Sequence, residues 1–304
     1  MSFFLKIKHT IKQKERRISW CFVLSKTLEK DFNMKKQSKA IILGSLLTLI
    51  ITLSCMVGAN ERGIATNSET GLSNKKIEWG IQRKNNHEQP NLGTKNVELI
   101  NKYNGMALGN SEKKYIYLTF DLGYEAGYTA KILDALKENN VQGTFFITAH
   151  YVNTADELLK RMIDEGHIVG NHTVNHKSMP TLSDEELKSE VMKLHSQVFE
   201  KYNYEMKYLR PPKGEYSERT LSLCEKLGYK TVMWSFAYVD WDEKKQPSES
   251  EAMDKIISNL HNGEIMLLHA TSKTNADVMD KMIKRVQEEG YEFIGLEEFL
   301  QWEE

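Results

Sequence analysis

Residues 115–121 read Tyr-Ile-Tyr-Leu-Thr-Phe-Asp, an alternating, β-rich run that ends on a carboxylate. Such a run is a strand. Residues 129–139 follow with Ile132, Leu133 and Leu136 at helical spacing, and the same strand-then-helix texture recurs down the chain. Further strands are expected at 143–148, 167–170, near 207–210, at 230–236, 264–269 and 291–296. Thr154-Ala-Asp-Glu157 and Ser183-Asp-Glu-Glu186 read as capping boxes that open two of the helices. Other helices are expected at 217–228, 249–261, 276–289 and 297–302, several of them stopped by a glycine just before the next strand. Seven such alternations between 112 and 304 predict an α/β fold, a parallel sheet with outer helices, either doubly wound or closed into a barrel. No G-x-G-x-x-G or P-loop favours a nucleotide fold.

Of the 304 residues, 41 are Lys or Arg and 42 are Asp or Glu, for a net charge of -1. The balance hides an asymmetry. Residues 1–39 hold eleven basic and three acidic residues, net +8, which leaves -9 for 40–304. An acidic body argues against nucleic acid as a partner, because phosphate recognition needs a basic face. Of three cysteines only Cys224 lies in the body and no C-x-x-C occurs, which excludes a disulfide framework and a thiolate zinc cluster.

Residues 40–59 form an apolar run, preceded by Met34-Lys-Lys-Gln-Ser-Lys39 and ending on Val57-Gly-Ala59. A basic flank, an apolar stretch and small residues read as a signal peptide or, if uncleaved, a membrane anchor at 34–59. Cys55 fits a lipobox poorly. The body is therefore expected to be exported, touching membrane only through this segment. Residues 1–33 are a basic extension to which no role is assigned, and 60–111 read as a linker and lead-in with a short helix at 97–103.

The polar residues fall where a barrel would use them. Asp121 ends the first strand, His150 follows the second, and His172 and His176 follow the third. Arg210 ends the fourth, Asp240 follows the fifth and His269 ends the sixth. All sit at C-terminal strand ends, the face that carries active sites in barrels of parallel strands. Taken singly each has a plainer reading. His172-Thr-Val-Asn-His176 has metal-ligand spacing but could be a hydrogen-bonded pair, Asp121 could cap a helix or pair with Arg210, and His269 could be a satisfied core histidine.

Together the segments Thr119-Phe-Asp-Leu-Gly123, His172–His176, Arg210-Pro-Pro-Lys-Gly214, Asp240-Trp241 and Leu267-Leu-His269 resemble, in order, the five motifs of the polysaccharide deacetylases, carbohydrate esterase family 4. The likeness covers about 112–304. Its details resemble the branch that acts on N-acetylmuramic acid on the way to muramic δ-lactam in spore cortex. The runs at 123–129, 208–214 and 234–241 carry that finer likeness.

The resemblance implies a distorted (β/α) barrel of about seven strands and metal-assisted amide hydrolysis. It assigns a divalent metal, zinc being the best fit, to His172 and His176. Asp121 is then the general base and His269 the general acid, with Arg210 and Asp240 tuning them. Trp241 and Leu267 would line the acetyl pocket, and an oxyanion donor would lie near Pro212 and Lys213. Peptidoglycan glycan strands are the implied partner, bound by a monomer. One departure stands out: the third metal ligand of the family falls on Leu122, which cannot bind a metal. Glu125 and Asn175 are the nearest replacements. The alternatives are a broader N-acetylglucosamine or chitin deacetylase and a non-catalytic glycan-binding protein on a degenerate scaffold. Lys213 stands where a cation would suit the lactyl carboxylate of muramic acid.

Overall fold

The computed structural model describes residues 71–299. The extension at 1–33, the signal or anchor segment at 34–59, the start of the 60–111 segment and the end of the 297–302 helix lie outside the described residues. Among the described residues no helix is long and apolar enough to cross a membrane.

The opening run forms β2 (Tyr115–Leu122), preceded among the described strands by the two-residue β1 (Ile77–Glu78). β2 pairs in parallel with both β3 (Thr144–Ile147) and β8 (Glu264–His269). Beyond β3 come β4 (Ile168–Asn171), β5 (Tyr208–Leu209) and β7 (Lys230–Thr231), and β9 (Glu292–Phe293) pairs the start of β2. All seven strands are parallel. The two ends of the sheet meet where Phe236 bridges Met266, with the Ser235 amide on the Ile265 carbonyl at 3.0 Å and the Leu267 amide on Phe236 at 2.9 Å. The result is the expected distorted barrel.

The expected strand at 230–236 is regular only over β7. Met106, from the lead-in, takes the next ladder positions: its amide donates to the Thr231 carbonyl at 2.7 Å and its carbonyl accepts from Met233 at 2.8 Å. Just below, the Gly109 amide donates to Gly263 at 2.8 Å. A Cβ on Gly263 would stand 2.3 Å from the Gly109 carbonyl carbon, so only glycine allows this seam.

Strand alternation sorts β2 into two faces. Ile116, Leu118, Phe120 and Leu122 join the core shared with α2 (Thr129–Glu138), while Tyr117 packs inside the barrel with Phe146, Ile168 and Ile265. Asp121 shares the inward parity and Leu122 does not. Around the sheet run α3 (Ala149–Thr154), α4 (Asp156–Asp164), α5 (Asp184–Tyr202), α6 (Glu218–Lys226), α7 (Glu249–Asn259) and α8 (Lys273–Glu288).

The Ser183 capping box holds as read: Ser183 accepts from the Glu186 amide and Glu186 accepts from the Ser183 amide at 2.9 Å. The Thr154 box does not form. The chain leaves β3 straight into α3, capped by Thr148, and Thr154 is its last residue, bonding back to the His150 carbonyl at 2.9 Å. α4 then starts from Ala155 with no side-chain cap. α8 begins at Lys273 on the Ser272 cap, three residues before the apolar pattern shows it.

The lead-in packs as a second cluster. α1 (Thr94–Lys102) sends Val97 and Ile100 against Trp79, Leu92, Tyr216 and Met233. β1 pairs antiparallel with β6 (Glu215–Tyr216), and Trp79 donates its indole N–H to the Trp234 carbonyl at 2.8 Å. These contacts brace the loop around Lys213.

Glu264, at the start of β8, is fully buried, and burial pushes its carboxyl well above the ordinary range against one hydrogen bond from the His261 amide. His261, 3.2 Å away through Nδ1, is itself pushed down to about 4 by burial, so the two are not an ion pair at neutral pH. A carboxyl raised on folding stabilises fully below its unfolded value of about 4.3 and loses that contribution as pH rises through the folded value. Glu264→Gln is therefore expected to raise the melting temperature at neutral pH and to flatten its decline with pH. A variant no more stable at pH 8 than the parent would contradict a neutral Glu264.

Candidate active site

The register of β2 and β8 sets Asp121 directly beside His269 at the C-terminal end of the sheet. Each side chain is fixed by a partner of its own. Arg210, fully buried after β5, donates Nη1 to Asp121 Oδ1 at 2.9 Å and spends Nε and Nη2 on the Val232 and Met233 carbonyls at 3.1 Å each. Its guanidinium lies 4.3 Å above the Phe146 ring centroid. Burial alone would raise the Asp121 carboxyl. The charge of Arg210, with His172 and His269, outweighs burial and holds it below the usual carboxylate range.

Asp240 does the same for His269. Its Oδ1 accepts from His269 Nδ1 at 2.7 Å, and its Oδ2 accepts from the His269 amide at 2.8 Å and from Asn275 Nδ2 at 2.6 Å. With Nδ1–H committed to a carboxylate, Nε2 is the nitrogen left for chemistry. Burial pushes His269 down, but the hydrogen bond and charge of Asp240, with the charge of Asp121, leave its pKa raised.

His172 follows β4. Its Nδ1 lies 2.8 Å from the Arg210 carbonyl, which can only accept, so Nδ1 carries the proton and Nε2 keeps its lone pair, 3.5 Å from Asp121 Oδ2. His176 reaches the same place through a turn with Thr173 at φ 64° and His176 at φ 54°, both left-handed. Asn171 holds that turn by accepting from the Thr173 amide at 2.9 Å, and Thr173 Oγ1 accepts from the His176 amide at 3.1 Å. The two imidazoles meet edge to face at 4.7 Å. Burial lowers both pKa values, that of His172 to about 4, so both rings are neutral at neutral pH.

These groups open into a cavity of about 850 Å³ whose walls include Lys213, Trp234, Tyr238, Trp241 and Leu267. Another hollow, of about 800 Å³ along the outer face of α5, holds none of these acid–base groups. Among the described residues the exposed large hydrophobic ones are Tyr124, Phe199, Val239 and Trp241, and all but Phe199 border the first cavity. Exposed aromatic faces beside polar groups suit a sugar chain. Trp241 stands edge to face with His269 at 5.7 Å.

The remaining candidates fall elsewhere. Pro212 is buried in the turn Pro212–Gly214 and lies off the cavity wall, while Lys213, at φ 61°, is on it. His150 is exposed on α3 and outside the cavity. Glu125 accepts from the Gly127 amide at 2.6 Å and from the Tyr151 hydroxyl at 3.2 Å, and Asn175 is tied to Glu190 at 2.7 Å, so neither is offered as a third ligand. Leu122 is fully buried in the core behind the strand. Among the described residues no group of three or more His, Cys, Asp or Glu is disposed to hold a metal ion. Two neutral imidazoles beside one carboxylate nonetheless form a donor set of the right chemistry for a divalent ion.

Two supports were not visible in the sequence. Asn275, buried in the first turn of α8, holds Asp240 and also donates to the His269 carbonyl at 3.1 Å. Buried Glu190 on α5 anchors the histidine turn through the Asn175 amide at 2.8 Å. Neither belongs to a local pattern that marks it.

Comparison with known proteins places the chain in a family. The family model for polysaccharide deacetylases matches residues 108–232. An uncharacterized 30.6 kDa protein from Geobacillus stearothermophilus is 48% identical over 77% of this chain and 88% of its own length. Bacillus subtilis PdaA, a peptidoglycan-N-acetylmuramic acid deacetylase, is 40% identical over 81% of this chain and 94% of its own. The structure of PdaA, described as a family 4 carbohydrate esterase, superposes with a TM-score of 0.73 at 42% identity, covering 75% of this chain and 98% of that one. The barrel, the paired groups at its mouth and this degree of identity agree: the chain belongs to the polysaccharide deacetylase family.

Proposed function

We propose that this protein is an exported, metal-dependent de-N-acetylase that hydrolyses the acetamide of N-acetylmuramic acid in peptide-stripped peptidoglycan, a step toward muramic δ-lactam in spore cortex. The observation that carries the reading is the facing pair Asp121–Arg210 and His269–Asp240, with two neutral histidines beside them, in a chain 40% identical to a muramic acid deacetylase.

Amide hydrolysis needs a proton removed from water and a proton delivered to the departing amine. Asp121, ionised and aimed by Arg210, takes the first. His269, its pKa raised against burial by Asp240, gives the second through Nε2. Arg210 and Asp240 are positioning residues. His172 and His176 would hold the divalent metal, zinc suiting their nitrogens, which when bound supplies Lewis-acid polarisation of the acetyl carbonyl. The backbone N–H of Lys213 is the candidate second donor to that oxygen. Leu267 and Trp241 shape the space for the acetyl methyl, and the Lys213 ammonium faces the lactyl carboxylate. The protein acts as a monomer on glycan strands outside the cytoplasm and meets membrane only through residues 34–59.

The buried position of Leu122 favours one other reading, a glycan-binding protein that has lost its metal. Both acid–base pairs speak against it, because binding alone does not call for them. His176→Ala separates the two. It is expected to lose stoichiometric zinc and to lower acetate release by about 10²-fold or more, with an unchanged circular dichroism spectrum. Full activity in this variant would remove the metal from the reading.

A further inference from the structure

We propose that Arg83 and Lys255 form a second anion subsite, which takes the carboxylate of a muramic residue neighbouring the one being deacetylated. The inference rests on the proposed substrate and extends it from one sugar to the strand. It starts from the charge of the cavity wall. Among the described residues three cations line the cavity, Arg83, Lys213 and Lys255, against one carboxylate, Asp121, which Arg210 already neutralises. Residues 40–304 carry a net charge of -9, so a positive cavity runs against the body that holds it. A cleft lined by one sign of charge concentrates ligands of the other sign.

The cations stand in two places. Lys213, in the turn after β5, lines the cavity together with His172 and His176. Arg83 and Lys255 flank a different wall, the segment that carries Phe236 and Tyr238. The Arg83 guanidinium lies 5.9 Å from the Phe236 ring centroid and donates to the Ala237 carbonyl, and the Lys255 ammonium lies 5.7 Å from the Tyr238 centroid. Among the described residues neither forms an ion pair with a carboxylate. Glu251, one turn before Lys255, is the natural partner, but its Oε2 is held by the Ser248 amide and hydroxyl at 2.8 Å each in the cap of α7. Two cations thus stand at the cavity outside any ion pair, Lys255 with only the longer-range charge of Glu251 near it.

Peptide-stripped peptidoglycan carries a free lactyl carboxylate on every second sugar. A muramic residue seated against Lys213 leaves the next carboxylate further along the strand, where a separate cationic wall can meet it. Arg83 lies in the lead-in and Lys255 on α7, so the second cationic wall is built by elements that do not carry Lys213.

The test uses the full chain and fluorescently labelled peptide-stripped strands, with binding read by anisotropy. The double variant Arg83→Gln, Lys255→Gln is expected to bind a tetrasaccharide with two lactyl carboxylates about tenfold more weakly than the parent, and the loss should vanish at high salt. With a disaccharide carrying one carboxylate the loss should be absent. An equal loss on both ligands, or none on either, overturns the subsite. Should the double variant fold poorly, Lys255→Gln alone, an exposed helix-surface change, gives the same comparison at smaller size. Acetate release is followed in parallel. Carboxylate-dependent binding without release contradicts the proposed function and leaves the subsite standing, whereas release without dependence on the second carboxylate contradicts the subsite alone.

Discussion

Asp121→Asn is expected to lower acetate release by about 10³-fold or more, the usual scale for losing a general base. It should also cost stability of roughly 2–4 kcal/mol, because the buried Arg210 guanidinium loses its counter-charge. Asparagine keeps an oxygen for Arg210 Nη1 at the 2.9 Å position but cannot take a proton. The two effects are separable: turnover is normalised to folded protein, and denaturant midpoints report the fold. The stability term has a pH signature. Since the Asp121 carboxyl is held below its ordinary range, the pair stabilises fully above about pH 4 and the contribution disappears as pH falls through the lowered folded value. The variant should lack that acid-side decline. Wild-type turnover in folded Asp121→Asn would show that another group takes the proton.

Asp240→Asn is expected to reduce kcat by about 10²–10⁴-fold and to move the alkaline limb of the pH profile toward lower pH. The direction follows from the site. His269 works as an acid only while protonated, and Asp240 is what lifts its pKa above the ordinary value against burial. Activity should therefore fall as pH rises through the raised pKa in the parent and at lower pH in the variant. Asparagine at 240 can also present an N–H to Nδ1 instead of accepting from it, which would favour the wrong tautomer. An alkaline limb that does not move would separate it from His269.

The alternation of residues 115–121 and the helical spacing after it made a parallel β/α layer legible, because both faces of such a layer leave periodic traces, while the choice of a barrel over a doubly wound sheet rested on the family resemblance. The candidate site was legible for a geometric reason. Asp121, His172, Arg210, Asp240 and His269 occur at strand ends in sequence, and a parallel barrel gathers strand ends. What failed was local or non-local competition. Thr154 looks like a cap, yet Thr148 caps first because β3 runs into a helix without a loop. The strand at 230–236 is regular only over Lys230–Thr231, and Met106, more than a hundred residues earlier, pairs beside it. Asn275 and Glu190 act through tertiary contacts that no short pattern marks. The sequence shows that Leu122 cannot be a ligand, but only the strand's parity shows that its side chain faces the helices.

The most direct test incubates the protein, stripped of metal and then given zinc, with peptide-stripped peptidoglycan, and reads acetyl loss from each sugar by mass spectrometry. The account predicts zinc-dependent loss from muramic acid residues, with glucosamine residues left acetylated. Loss from glucosamine alone, or no loss from either sugar with any divalent metal, would contradict it.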